Sequence, residues 1–146
     1  MNTIQFMKLR ETAKTPFKST KYSAGYDLSA DINAPILIKP HTTVKIGTGV
    51  AIETPEGYFA AVYARSGIAT KEGLRPANCC GIIDSDYRNE IIVALHNDSD
   101  ETRLVEPGQR IAQLVFQQYL NKELEEVTSL SDTERGLNGF GSSGKF

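Results

Sequence analysis

The sequence predicts a mainly β protein, a barrel or sandwich of short strands with one short helix and a flexible C-terminal arm. Three observations carry that expectation. Short apolar runs recur between turn signals along the chain, and helical periodicity is confined to one stretch near the middle. From Ser131 onward, SDTERGLNGFGSSGKF holds four glycines and three serines and too little apolar surface to build an element. Residues 1–130 therefore read as the folded core and 131–146 as a mobile arm.

The elements follow in order. Ile36 to Ile38 is bounded by Pro35 and Pro40; Val44, Ile46, Val50 and Ile52 alternate with other residues; and Tyr58 to Tyr63 follows the turn Pro55-Glu56-Gly57. Ser66 to Glu72 is the helix, with Ser66 as its N-cap and Gly73 as its stop. Ile91 to Leu95 and Ile111 to Phe116 are further strands, separated by a polar loop that ends in Glu106-Pro107-Gly108. The run GIIDSDYRNEI, Gly81 to Ile91, places Asp84, Asp86, Tyr87 and Arg88 between two apolar stretches. On its own it reads as a hairpin connection, because Asp, Ser and Asn side chains bond their own backbone in turns.

A chain of 146 residues is about one domain long and can bury a real core. The formal net charge of −2 supplies no broad positive field, which argues against polymeric nucleic acid as a partner and leaves room for a small anion held by local groups. Cys79 and Cys80 are adjacent and cannot readily meet ordinary disulfide geometry, so a reducing compartment fits. The N-terminus lacks an apolar core and a cleavage pattern, and no apolar run reaches membrane-spanning length. The expected location is cytoplasmic or nuclear, with no membrane partner. His41 and His96 lack companions at metal-cage spacing, so any metal must arrive with its ligand.

Several polar residues admit two readings each. Arg65-Ser66-Gly67 opens the helix, where Ser66 could simply cap it or the group could hold an anion beside Arg65. Gln113 interrupts an apolar strand and Asp27 sits in AGYDLSA; both are ordinary on an exposed strand face. Gly139 to Lys145 matches G-x-x-x-x-G-K, but Phe146 replaces the Ser or Thr, and no strand precedes it or helix follows, so the P-loop reading fails. Arg135 could bind phosphate bidentately, the glycines and serines could offer N–H groups to oxyanions, and Phe140 could offer a flat face to a base.

Together these stretches resemble a known family. AGYDLSA at 24–30, RSGIA at 65–69, GIIDSDYR at 81–88, PGQRIAQLVF at 107–116 and RGLNGFGSSG at 135–144 are similar, in order and spacing, to the five motifs of the trimeric deoxyuridine triphosphatases, the dUTPases. The resemblance covers nearly the whole chain. It implies a jelly-roll β fold assembled as a homotrimer whose sites draw on all three subunits. It implies Mg²⁺-assisted hydrolysis of dUTP to dUMP and pyrophosphate, which limits uracil in DNA and supplies dUMP for thymidylate synthesis.

The resemblance also assigns roles. Asp84 matches the carboxylate that activates the attacking water, and Gln113 the amide that orders water and phosphate. Tyr87 matches the ring that stacks under deoxyribose and excludes a 2′-hydroxyl; Gly81, Ile82 and Ile83, with Asn78 nearby, match the uracil slot. Arg65, Ser66 and Gly67 match the phosphate motif, and Asp27 a carboxylate linked to Mg²⁺ through water, the ion being held mainly by the triphosphate. Arg135, Phe140, Gly141 and Ser142 match the closing arm over γ-phosphate and uracil.

The chain departs from the family pattern at Asn89, Gln109, Asn138 and Ser143, none of which removes a named catalytic group. Two rival functions fit the sequence less well. In related dCTP deaminases a catalytic Glu lies ten residues beyond the hairpin Asp, where this chain has Ala94, and the Arg-Phe arm is missing there. A non-catalytic nucleotide sensor would not need Asp84, Gln113 and the full arm, all of which are present.

Overall fold

The computed structural model describes residues 3–139. Eleven strands and one helix follow one another: β1 (Gln5–Lys8), β2 (Tyr26–Ser29), β3 (Ile36–Ile38), β4 (Thr43–Gly47), β5 (Val50–Glu53), β6 (Tyr58–Tyr63), α1 (Ser66–Glu72), β7 (Leu74–Pro76), β8 (Gly81–Ile83), β9 (Ile92–Asn97), β10 (Arg103–Val105) and β11 (Arg110–Gln118). The protein is mainly β with one short helix, as the sequence predicts. No described residue after Gln118 lies in a strand or helix.

All strand pairs are antiparallel. The largest sheet has four strands in the order β2-β11-β6-β8, the next has three in the order β4-β9-β7, and β1-β5 and β10-β3 are two-stranded. Their inner faces close on one core, in which Leu28, Ile38, Ile46, Leu74, Ile91, Leu95, Ile111 and Leu114 are all fully buried. Alternation makes this possible: β9 buries Val93, Leu95 and Asn97 and turns Ile92, Ala94 and His96 outward, as period-two side chains must.

Ile36–Ile38 and Tyr58–Tyr63 are strands with the predicted bounds. The helix also runs over the predicted residues and stops at Gly73, whose φ of 70° suits a residue without a Cβ. Its start differs. The N-cap is Arg65 in an extended conformation, no side chain caps the helix, and Ser66 is its first helical residue. The connection at Gly81 to Ile91 differs more: β8 pairs with β6 and β9 pairs with β4 and β7, so residues 84–91 carry the chain from one sheet to another instead of closing a hairpin. β1 and β10 were not legible. β1 is wholly exposed and exists because it pairs with β5, and β10 is three residues long and exists because it pairs with β3.

Asn97 is fully buried and, with Thr48 and Thr54, one of three buried polar residues among the described residues. Its Nδ2 donates to the Ile38 and Glu101 carbonyls at 3.0 and 2.7 Å, and its Oδ1 accepts from the Ser99 N–H and hydroxyl at 2.9 and 2.7 Å. The amide thus closes the loop after β9 onto β3. Asn97→Ala should strand these buried partners and lower stability by about 2–4 kcal/mol, read from the urea midpoint. A shift below half a kcal/mol, roughly the noise of a surface substitution, would remove Asn97 from that role.

Candidate functional site

The four-stranded sheet gathers the polar residues of separate sequence stretches. Gln113 on β11 faces Asp27 on β2 and Tyr63 on β6 as cross-strand partners, so the three form one row. The Gln113 amide donates to the Ala64 carbonyl at 2.9 Å. Gly25 explains how it fits: a Cβ there would stand 2.3 Å from Gln113 Oε1, so a side chain at position 25 would displace the amide.

Asp27 is mostly buried, with a side-chain exposure of 12%, and both its oxygens are engaged. Arg65 Nε donates to Oδ1 at 2.9 Å and Arg110 Nη1 to Oδ2 at 3.0 Å. One carboxylate therefore aims two guanidinium groups, and each keeps donors free for an anion. Ser66 and Gly67 follow Arg65 on the exposed first turn of α1.

Arg110 is the residue that sequence reasoning passed over. It lies three positions before Gln113, a spacing that sends side chains to opposite faces of a regular strand. A register shift between Arg110 and Ala112 makes Arg110 the partner of Ser29 while Gln113 partners Asp27, so a bulge returns both to one face. Arg110 also lies over the Phe17 ring at 5.9 Å. Its position inside PGQRIAQLVF was the available signal; the bulge that aims it was not visible in sequence.

A second group forms around β8. Asn78, Gly81, Ile82 and Ile83 line one small pocket of about 120 Å³, closed by Val62 of β6 and by Ile92, Val93 and Ala94 of β9. The turn before β8 is tight: Cys79 adopts a φ of 59°, its N–H donates to the Pro76 carbonyl at 3.1 Å, and the Cys80 N–H donates to the Asn78 carbonyl at 2.6 Å. Both cysteines are free. A Cβ on Gly81 would come within 3.2 Å of Val62 and narrow the pocket.

Beyond β8 the chain turns. Asp84 stands exposed, its carbonyl accepts the Tyr87 N–H at 3.1 Å, and the Tyr87 hydroxyl donates to the Glu90 carbonyl at 2.8 Å. Asp84 also lines a broad open groove of about 1720 Å³ with Tyr26, Phe59, Ile82, Arg88 and Phe116.

The two groups lie apart within one chain. Ile83 pairs with Ala60, which sets Asp84 level with Phe59, whereas Arg65 stands six residues further along in the opposite direction. At about 3.3 Å per residue, roughly 20 Å of strand separates Asp84 from Arg65. The chain brings Asp27, Arg65, Ser66, Gly67 and Gln113 together, and Asn78, Gly81, Ile82, Ile83, Asp84 and Tyr87 together. It does not join the two sets. Arg135 is exposed and bonds locally, its Nε donating to the Asn138 carbonyl at 3.0 Å. The expected roles of Phe140, Gly141 and Ser142 lie outside the described residues.

Among the described residues no group of three or more His, Cys, Asp or Glu side chains could hold a metal ion, and no helix is long and apolar enough to cross a membrane.

The chain is similar to known proteins. The chain is 46% identical over 137 residues to a deoxyuridine 5′-triphosphate nucleotidohydrolase of Hydrogenobaculum, covering 94% of each chain. It is 44% identical over 140 residues to the enzyme of the same name from Orientia tsutsugamushi, covering 96% of this chain and 95% of that one. A solved structure of a Staphylococcus bacteriophage 80alpha dUTPase point mutant with dUpNHpp superposes with a TM-score of 0.87 at 31% identity, over 99% of this chain and 100% of the other. The dUTPase family model matches residues 11–144, and with relatives of this identity over nearly the full length, the chain belongs to the dUTPase family.

Proposed function

We propose that this chain hydrolyses dUTP to dUMP and pyrophosphate by attack of water on the α-phosphorus. One observation carries the reading: Asn78, Gly81, Ile82 and Ile83 share a small pocket directly before Asp84. A pocket of that size selects a base by shape, and main-chain donors and acceptors at fixed positions distinguish uracil from cytosine. Ala94 lines the same pocket, where a deaminase of the related kind would need a carboxylate. That favours hydrolysis over deamination.

Each group then has a task. Asp84, exposed on its turn, orients a water and accepts its proton. Tyr87 packs under the sugar and leaves no space for a 2′-hydroxyl. Arg65, aimed by Asp27, binds phosphate oxygens with Ser66 and Gly67, and Arg110 adds a second cation from the other side of Asp27. Gln113, its amide held by the Ala64 carbonyl, presents its second N–H to a phosphate oxygen and its Oε1 to the ordered water.

The donor set fits Mg²⁺ that comes with the triphosphate. Asp27 has both oxygens in ion pairs and can meet such an ion only through water, which suits a cation that keeps several of its waters. When bound, Mg²⁺ neutralises charge on the phosphate oxygens.

The separation of Asp84 from Arg65 supports a jelly-roll homotrimer with shared sites, in which the base and sugar pocket of one copy meets the phosphate cradle of another. Residues 131–146 then close the site, with Arg135 on the γ-phosphate, Phe140 over uracil, and Gly141 and Ser142 offering N–H groups to oxyanions. The free thiols Cys79 and Cys80 support a reducing compartment, cytoplasmic or nuclear.

Pyrophosphate release with dUTP tests the activity directly, and no release from the purified protein would overturn it. Asp84→Asn should keep nucleotide binding and lose about 10²- to 10⁴-fold in kcat, the usual worth of a general base. Near-normal turnover would remove Asp84 from that role. Shared sites make a second prediction: Asp84→Asn and Arg65→Ala chains, each inactive alone, should regain activity when refolded together, because mixed trimers hold sites free of both changes. Sedimentation of an active monomer would contradict this. Deleting residues 135–146 should abolish most activity while leaving the melting temperature nearly unchanged, and full activity after deletion would end the arm reading.

A further inference from the structure

We propose that Arg10 is a positioning residue for the turn that carries Asp84 and Tyr87, acting through Glu90. This rests on the assignment of Asp84 and Tyr87 to the dUTP site. Residues 84–90 leave β8 and remain largely exposed until Ile91, whose N–H donates to the Val50 carbonyl at 2.8 Å. Within this span Asp84, Tyr87 and Glu90 form one unit, because the Tyr87 N–H holds the Asp84 carbonyl and the Tyr87 hydroxyl holds the Glu90 carbonyl. Where Glu90 goes, the tyrosine ring goes.

The Glu90 carboxylate accepts three hydrogen bonds from two partners. Its Oε1 accepts the Gly49 N–H at 2.8 Å, and its two oxygens accept both terminal nitrogens of Arg10, Nη1 to Oε2 at 3.1 Å. Arg10 Nε donates in turn to Asp31, whose side chain is 4% exposed. A bidentate pair fixes orientation as well as distance, which a single contact cannot do. The hydrogen bond from Arg10 holds the Glu90 carboxyl below the usual carboxylate range. Burial pushes Asp31 up, but hydrogen bonds from Thr12 and Arg10 win and hold it low as well.

The backbone is shaped around this cluster. A Cβ on Gly47 would stand 2.5 Å from Glu90 Oε1, and one on Gly49, at a φ of +67°, 2.5 Å from Asp31 Oδ2. Leu9 N–H donates to the Gly49 carbonyl at 2.7 Å and Asp31 N–H to the Gly47 carbonyl at 2.8 Å, so the three segments meet at the guanidinium. The other ion pair of the turn, Arg88 to Glu53, is 3.5 Å long between side chains more than half exposed, a contact of little strength. Arg10 is the stronger tie.

The functional consequence is sugar discrimination. A ring that excludes a 2′-hydroxyl by overlap does so only if it cannot yield, and Glu90 is what limits its yielding. The experiment compares kcat and KM for dUTP and UTP in wild type, Arg10→Met, Glu90→Gln and the double variant. Both single variants should lower the dUTP-to-UTP ratio of kcat/KM by about tenfold, since small misplacements at a site have effects of this order. The double variant should fall no further than the worse single one, because both remove the same tie. If Arg10→Met does not fold, the isosteric Glu90→Gln carries the test. An unchanged ratio, with only the melting temperature lowered, would overturn the proposal and leave the cluster as a structural tie. Failure of wild type to hydrolyse dUTP would instead overturn the activity on which it rests.

Discussion

The pairing of β11 with β2 on one side and β6 on the other is the constraint on which the rest depends. These contacts set Asp27, Gln113 and Tyr63 in one row, and β6 then sets the register of β8. Four stretches separated by up to about ninety positions in sequence thereby share one sheet. A slip of one residue would turn Gln113 into the core and Leu114 out of it, so the burial of Leu28, Ile111 and Leu114 that stabilises the sheet also fixes the site. Core packing and chemistry are one specification.

The arrangement of charge follows the same economy. Asp27 sits mostly buried between two arginines, and the Arg10 guanidinium sits between two carboxylates. In each cluster a buried or half-buried ion is matched by opposite charge and hydrogen bonds, the condition under which such groups are tolerated. The first cluster holds two arginines side by side, which the proposed function assigns to phosphate. The second has its guanidinium donors engaged by Glu90 and Asp31 and ties the turn after β8 to the body of the protein. Glycines stand beside both, Gly25 against Gln113 and Gly47 and Gly49 against Glu90 and Asp31, since a Cβ at any of them would collide with a polar side chain.

The division of the candidate residues into two sets gives the proposed homotrimer a physical motive. In the proposed site one chain supplies the base pocket with a carboxylate at one end of a sheet and the phosphate-binding arginines at the other, roughly 20 Å away by strand geometry. A nucleotide triphosphate needs both within its own length. Joining copies solves this without lengthening any loop, which is why the homotrimer with shared sites is the reading that uses every residue.

The sequence by itself determined the class of the protein and named the candidate residues of its site. Apolar runs between Pro and Gly signals gave the strands Ile36–Ile38 and Tyr58–Tyr63 with their bounds, and Gly73 ended the helix, because turn chemistry and side-chain period are local properties. The five motifs likewise named Asp27, Arg65, Asp84, Tyr87 and Gln113. Tertiary structure decided what local rules cannot hold. β1 exists by pairing with β5, residues 84–91 join two sheets where a hairpin was expected, and Ser66 does not cap the helix. Arg110 reaches Asp27 through a bulge, and Arg10 reaches Glu90 across eighty positions. Each of these depends on which distant segment supplies the partner, and partner choice is settled by burial of the whole core, which no stretch of sequence contains.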